Sequence, residues 1–272
     1  MKKIGLFTIC LLFISSMVFA QLRPSGPATG QRIHPDGASG CSGEPILPTD
    51  GLATLDSVAG SSAAFYFVHL KDGHSYSAEV WDATDPAEVQ GFSLSLMDFI
   101  CGSTLSTTDV IAMDPDMSLM NADRISWIQS GDALDVLKMN NADTHFRSYT
   151  IRIVDTTLRN TRWSTTAGFG THYGLLNTTE SAISATLTAV ESNGTHHVVD
   201  LTVPAGGELF EVIASDSGAS SGLQLPANRA GYATLAYVGS PGALSVDGYF
   251  QAVQNGVIVL VSTPWAARNS QH

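Results

Sequence analysis

The spacing of apolar residues constrains this chain more than any single motif does. No window of a dozen residues sustains the three-and-four spacing of an amphipathic helix, whereas alternation with a period of two recurs from Thr54 to the last stretch of the chain. A chain patterned in this way buries its apolar residues by stacking pleated sheets face to face, so the expected fold is all-β, two β-sandwich domains of jelly-roll or Ig-like type. Phe65, Phe67 and His69 alternate with Tyr66, Val68 and Leu70, which gives a strand apolar on both faces. Asp72-Gly73 then reads as a turn into Tyr76, Ala78 and Val80, a hairpin by pattern. Further strands are expected at Phe92, Leu94 and Leu96, over residues 124–128 and 133–139, and at Tyr149, Ile151 and Ile153.

The N-terminus follows a different logic. Met1-Lys2-Lys3 precedes an apolar run over residues 4–14 and a small-residue end at Ala20, the layout of a signal peptide over residues 1–20. Residues 21–50 are so dense in Pro and Gly that they read as an arm without regular structure. A first β-sandwich is expected over residues 51–158 and a second, Ig-like one over 165–265. The polar stretch TTLRNTRWSTT at 156–166 marks the internal boundary. In the second half Ile183, Ala185, Leu187 and Ala189 alternate with hydroxyls, Ser192-Asn193-Gly194-Thr195 reads as a hairpin turn, and His197, Val199, Leu201 and Val203 run out to Pro204. Six or seven strands are expected there.

Charge and cysteine content bound the partners. The formal charge is −12, no basic run exists beyond the leader, and no later stretch is long and apolar enough to span a bilayer, which together disfavour nucleic acid, anionic membrane surfaces and a membrane span in the mature chain. The expected location is secreted, periplasmic or at the cell surface. Cys10 leaves with the leader, and Cys41 and Cys101 most simply form one disulfide in an oxidising compartment, against the alternative of two buried thiols. Ser and Thr make up 51 of the 252 residues after the leader, so hydroxyls are expected over much of the outward strand faces in place of ion pairs.

Chemistry-bearing residues are sparse. Gly218-Ala219-Ser220-Ser221-Gly222 matches the G-x-S-x-G form, but Leu223-Gln224-Leu225-Pro226 follows where a helix is required and the one later histidine is His272. It therefore reads as a Ser/Gly loop. His196-His197 points to opposite faces of a strand and cannot chelate one ion from one side. Asp109, Asp114, Asp116 and Asp123 share a loop-rich stretch and are weak calcium candidates, set against solvated acids around a turn; no other cofactor is expected. Trp81 follows Val80 on the opposite strand face, so with Val80 inward it stands exposed beside Asp82 and Asp85, a weak candidate site for a sugar ring, set against packing between sheets or under a loop.

Leu55-Asp56-Ser57-Val58-Ala59-Gly60 running into Ala64-Phe65-Tyr66-Phe67-Val68, then Gly73-His74-Ser75-Tyr76-Ser77-Ala78-Glu79-Val80, with a closing Tyr149-Thr150-Ile151-Arg152-Ile153-Val154, resembles bacterial pre-peptidase C-terminal domains over about 100 residues. Tyr173-Gly174-Leu175-Leu176-Asn177-Thr178-Thr179, Val203-Pro204-Ala205-Gly206-Gly207 and Asp247-Gly248-Tyr249-Phe250 are similar to Ig-like modules at the ends of bacterial exported proteins. The resemblance implies secreted, non-catalytic β-sandwich modules. The expected function is a secreted binding or surface-associated protein that recognises a protein or glycan and is not an enzyme. The alternatives are a hydrolase using dispersed carboxylates, which would show as a cleft holding two of them, and a structural surface component, which would show as a long unpaired edge strand.

Overall fold

The computed structural model describes residues 46–84, 91–98, 110–113, 123–166, 169–214, 223–254 and 257–267. Among them there is no helix, and none therefore that is long and apolar enough to cross a membrane. The first eight strands are β1 (Thr54–Val58), β2 (Ser62–Leu70), β3 (Ser75–Asp82), β4 (Phe92–Met97), β5 (Val110–Met113), β6 (Asp123–Ile128), β7 (Ala133–Asn141) and β8 (Arg147–Asp155). They form two antiparallel sheets, ordered β1-β8-β3-β6 and β2-β7-β4-β5. One side chain in two from each sheet enters a shared core: Tyr76, Ala78, Val80, Ile151 and Ile153 from the first, Tyr66, Val68, Leu94, Leu96, Leu137 and Met139 from the second. Each large side chain so buried stabilises the fold by roughly 1.5–3 kcal/mol. The polar ends of two buried tyrosines are satisfied together. The hydroxyls of Tyr66 and Tyr149 bond to each other across the sheets, and Tyr66 donates to Asp56 at 2.7 Å. Burial first, then the neighbouring Tyr149 and Asp56, pushes the Tyr66 pKa far above the ordinary phenol value.

The Asp72-Gly73 turn does not make a hairpin. β2 pairs with β7 along its whole length, and β3 pairs with β6 and β8, so the turn arches from one sheet to the other. The reason is that both strands present apolar faces which meet across the core, and a corner brings those faces together where a hairpin would set them side by side. The corner is stapled to the β6–β7 corner by reciprocal bonds, Asp72 N–H to Asp132 Oδ1 at 2.9 Å and Gly131 N–H to Asp72 Oδ1 at 2.7 Å. Phe67 and Val136 are buried on the outer face of the β2 sheet, so β2 is indeed apolar on both faces.

The second sandwich comprises β9 (Leu158–Ser164), β10 (Phe169–Asn177), β11 (Ile183–Glu191), β12 (His196–Val203), β13 (Glu208–Ala214), β14 (Leu223–Gln224), β15 (Ala230–Tyr237), β16 (Leu244–Gln254), β17 (Val257–Ser262) and β18 (Trp265–Ala267). The sheets run β12-β11-β15-β9-β18 and β14-β13-β10-β16-β17. Ten strands stand where six or seven were expected, and the stretch read as a boundary holds β9, whose Trp163 is fully buried and donates Nε1–H to the Tyr232 carbonyl at 2.8 Å. Its alternation was hidden by two arginines and five threonines over residues 156–166. Ile183, Ala185, Leu187 and Ala189 enter the core as expected, and Gly194, at φ +90°, turns β11 into β12. At the β9–β15 register shift Gly231 is obligatory, because a Cβ there would stand 1.8 Å from the Val190 carbonyl oxygen.

Hydroxyls do not simply coat the outside. Ser75, Ser77, Thr156, Thr157, Thr165 and Thr171 are buried and bond other hydroxyls or the backbone, as in Thr156 Oγ1–H to Ser75 Oγ at 2.9 Å and Ser126 Oγ–H to Ser77 Oγ at 3.3 Å. On the outer face of β3, next to Ser75 and Ser77, stands an ion triplet: Glu79 lies opposite Arg124 of β6 and Arg152 of β8, with guanidinium contacts of 2.6 and 2.7 Å.

Candidate functional site

The neighbourhood of Trp81 is arranged for stability. Val80 is fully buried and Trp81 faces outward, as its position in the strand requires, but the Arg152 guanidinium lies 5.5 Å from the ring centroid and leaves Trp81 half-buried. A cation held by Glu79 thus occupies the ring that would have met a ligand. Asp82 is buried; its Oδ1 accepts from the backbone N–H and the hydroxyl of Thr84 at 2.7 and 2.6 Å, and its Oδ2 meets Arg147 at 3.1 Å. Arg147 also grips Asp143 at 2.6 and 2.9 Å, and Asp143 accepts from His145. The His145 bond and then the Arg147 bond hold the Asp143 carboxyl well below the usual carboxylate range. These residues, with the exposed Phe146, line a polar cleft of 370 Å³, but its charges are spent on each other and staple the β7–β8 turn.

Of the other residues singled out in the sequence, Cys41, Cys101, Asp85, Asp109, Asp114, Asp116 and the Ser/Gly loop at 218–222 lie outside the described residues, and Asp123 opens β6 opposite Val80. Among the described residues no three His, Cys, Asp or Glu side chains gather as a metal site. His196 is exposed while His197 turns to the other face and meets Glu191 Oε1 at 2.8 Å.

A different place has the properties of a binding site, the outer face of the β13-β10-β16 strands. Register sets three rows across it. Phe210, Gly174 and Asp247 stand in one row, Glu208, Leu176 and Ser245 in the next, and His172 and Tyr249 on the far side of the first. The Phe210 ring leans over Gly174, so close that a Cβ on the glycine would be 3.4 Å from it, yet the residue stays 60% exposed. His172 and Tyr249 stack with centroids 5.0 Å apart and planes 9° apart. Burial holds the His172 pKa below the ordinary imidazole value, which favours the uncharged ring in that stack. The rows enclose a trough of 220 Å³ lined by Gly174, Leu175, Leu176, Glu208, Phe210, Ser245, Asp247 and Tyr249.

The difference from the Asp82 cleft lies in what the polar groups are doing. Glu208, Asp247 and Ser245 are exposed, and no side-chain hydrogen bond or ion pair engages them among the described residues. An exposed aromatic ring with unengaged acceptors a few ångströms away can take a ligand with an apolar face and a rim of hydroxyl donors. Sequence reasoning missed this set. The one local signal was Gly174 inside a strand, which marks a close approach of another group, but only register shows that the group is Phe210 and that Asp247 lies on the other side.

No family model matches the chain, and no curated protein matches it. Solved structures similar to it include an uncharacterised protein from Burkholderia cenocepacia, at 10% identity and TM-score 0.26 over 82% of this chain and 83% of that one. Another is a fucolectin from the serum of Morone saxatilis, striped bass, at 8% identity and TM-score 0.27 over 71% and 82%. A third is the extracellular region of zebrafish Gpr126/Adgrg6, at 8% identity and TM-score 0.23 over 79% of this chain and 30% of that one.

Proposed function

We propose that this chain is an exported, non-catalytic binding protein that holds a saccharide in the trough over Gly174. The observation that carries this reading is the exposed Phe210 ring sharing one trough with the unengaged carboxylates of Asp247 and Glu208. A pyranose offers C–H groups to the Phe210 and Tyr249 rings and hydroxyls to Asp247, Glu208 and Ser245. The small volume suits one sugar residue of a longer chain. Hydrogen bonds to a charged acceptor contribute roughly 1.5–3 kcal/mol each, so a few of them account for a weak, specific site. Two carboxylates in one trough also raise the hydrolase reading. It is disfavoured because both are exposed, whereas a general acid working near neutral pH needs a desolvated carboxyl.

The leader, the Cys41–Cys101 bridge and the likeness of the first sandwich to pre-peptidase C-terminal domains belong to the same proposal, which places the protein in an oxidising compartment outside the cytoplasm. On a glycan array the chain is expected to bind a subset of saccharides. Phe210→Ala and Asp247→Asn should each weaken that binding about tenfold or more, while Phe146→Ala in the other cleft leaves it unchanged. Absence of binding across the array, or binding indifferent to both trough variants, would overturn the reading; sugar release abolished by Glu208→Gln would favour the hydrolase.

A further inference from the structure

We propose that β17 is a pairing edge through which two copies of this chain join into one continuous sheet. A strand at a sheet edge offers unpaired N–H and C=O groups to any other strand, and proteins guard such edges with charge, Pro, brevity or a covering segment. Here the guards can be checked edge by edge. β1 carries Asp56, β6 carries Asp123 and Arg124, and β12 carries Asp200 and runs into Pro204. β5, β14 and β18 are four, two and three residues long. β2, long and uncharged, is covered at its middle by the arm, where Ile46 bridges Phe67 and the Leu47 N–H bonds the Phe67 carbonyl at 2.8 Å.

Among the described residues β17 has none of these protections. It is the outermost strand of its sheet, reads VIVLVS, and follows β16 without a bulge from Tyr249↔Ser262 to Gln254↔Val257. Its apolar side chains lie open on both faces: Val257 is 62% exposed and Val261 53% on one, Leu260 61% on the other. Beside it an opening of 330 Å³ lined by Arg162, Phe250 and Val261 leaves room for incoming side chains.

Charge selects the occupant. Each copy carries a formal −12, so most of its surface repels a second copy, whereas β17 carries no charged side chain of its own and the opening beside it is lined by a cation, Arg162, and no acid. Antiparallel pairing of β17 with itself is isologous, and in the full-length register it sets Ile258 against Val261 and Val259 against Leu260, with Val257 opposite Ser262. The two-fold axis of such a pair runs perpendicular to the sheet, so the outer faces of both copies point the same way. On the saccharide reading, two troughs would then face one surface and bind it with avidity.

The test is the mass of the full mature chain by sedimentation and light scattering over a wide concentration range, with no sugar present, so that it succeeds or fails apart from the saccharide site. The expected result is a dimer whose dissociation constant rises at least tenfold in Leu260→Lys and in Val257→Lys, both at exposed positions. In the wild type, amide exchange over Val257–Ser262 should slow as concentration rises, which reads the contact even if a variant fails to fold. A chain monomeric at every concentration overturns the proposal, as does a dimer in which exchange at β17 is indifferent to concentration.

Discussion

Glu79 offers a quantitative test of how the first sandwich is held. Its carboxylate, 5% exposed, lies between Arg124 and Arg152, whose side chains are 42% and 29% exposed. The asymmetry predicts unequal costs. In Glu79→Gln the amide still accepts a hydrogen bond and both guanidinium groups can turn to water, so the loss should be about 1 kcal/mol. In Arg124→Ala/Arg152→Ala the buried carboxylate has lost both cations, and the loss should be about 3–5 kcal/mol, with Arg152→Ala also uncovering Trp81. Either arginine alone leaves one cation in place, so the double variant should exceed the sum of the singles by about 1–2 kcal/mol. Urea unfolding followed by Trp fluorescence measures this, provided the slope with denaturant is unchanged among the variants. If Glu79→Gln proves as damaging as the double arginine variant, the cost resides in the arginines' environment and the reasoning from burial fails.

Two further outcomes are expected. Burial alone would raise the Asp155 pKa, but the His74 bond at 2.8 Å, the Thr157 bonds and the His74 charge lower it overall. With the folded value below the unfolded one, the stabilisation is present above the ordinary carboxylate pKa of roughly 4 and is lost as pH falls through the folded value. Asp155→Asn should therefore lower the urea midpoint at neutral pH and lose that penalty in acid; a penalty constant with pH would contradict the assignment. Gly231→Ala forces a methyl against the Val190 carbonyl and should destabilise the protein by about 2 kcal/mol or more, read as a lower melting temperature, whereas a neutral effect would mean that β15 can shift there.

Much of the architecture was legible because a strand buried on one face writes its own alternation. Ile183, Ala185, Leu187 and Ala189 could be assigned to a core, and Asn193-Gly194 to a hairpin, from a dozen neighbouring residues. The errors share a cause. Asp72-Gly73 looks the same in a hairpin and in an arch between sheets, since the turn is local and the choice of partner strand is not. β9 was obscured because outward Arg159, Thr161 and Arg162 dilute a pattern in which Asn160 and Trp163 are the buried members. Trp81 was rightly placed on the outward face, but no spacing along β3 could reveal that Arg152, from β8, would lie over it.

The divide between what the chain states and what the fold decides follows from range. Period-two alternation, turn residues and the acidic balance are properties of adjacent residues, and they suffice for an all-β, sheet-stacked protein. Which carboxylates are spent and which remain open depends on residues from strands far apart in sequence meeting in register. Asp82 is neutralised by Arg147, Glu79 by two arginines, and Asp247 is left facing Phe210 across Gly174. A slip of one residue in any of those pairings would turn every side chain to the other face, so the trough over Gly174 exists only once the strands have chosen their partners.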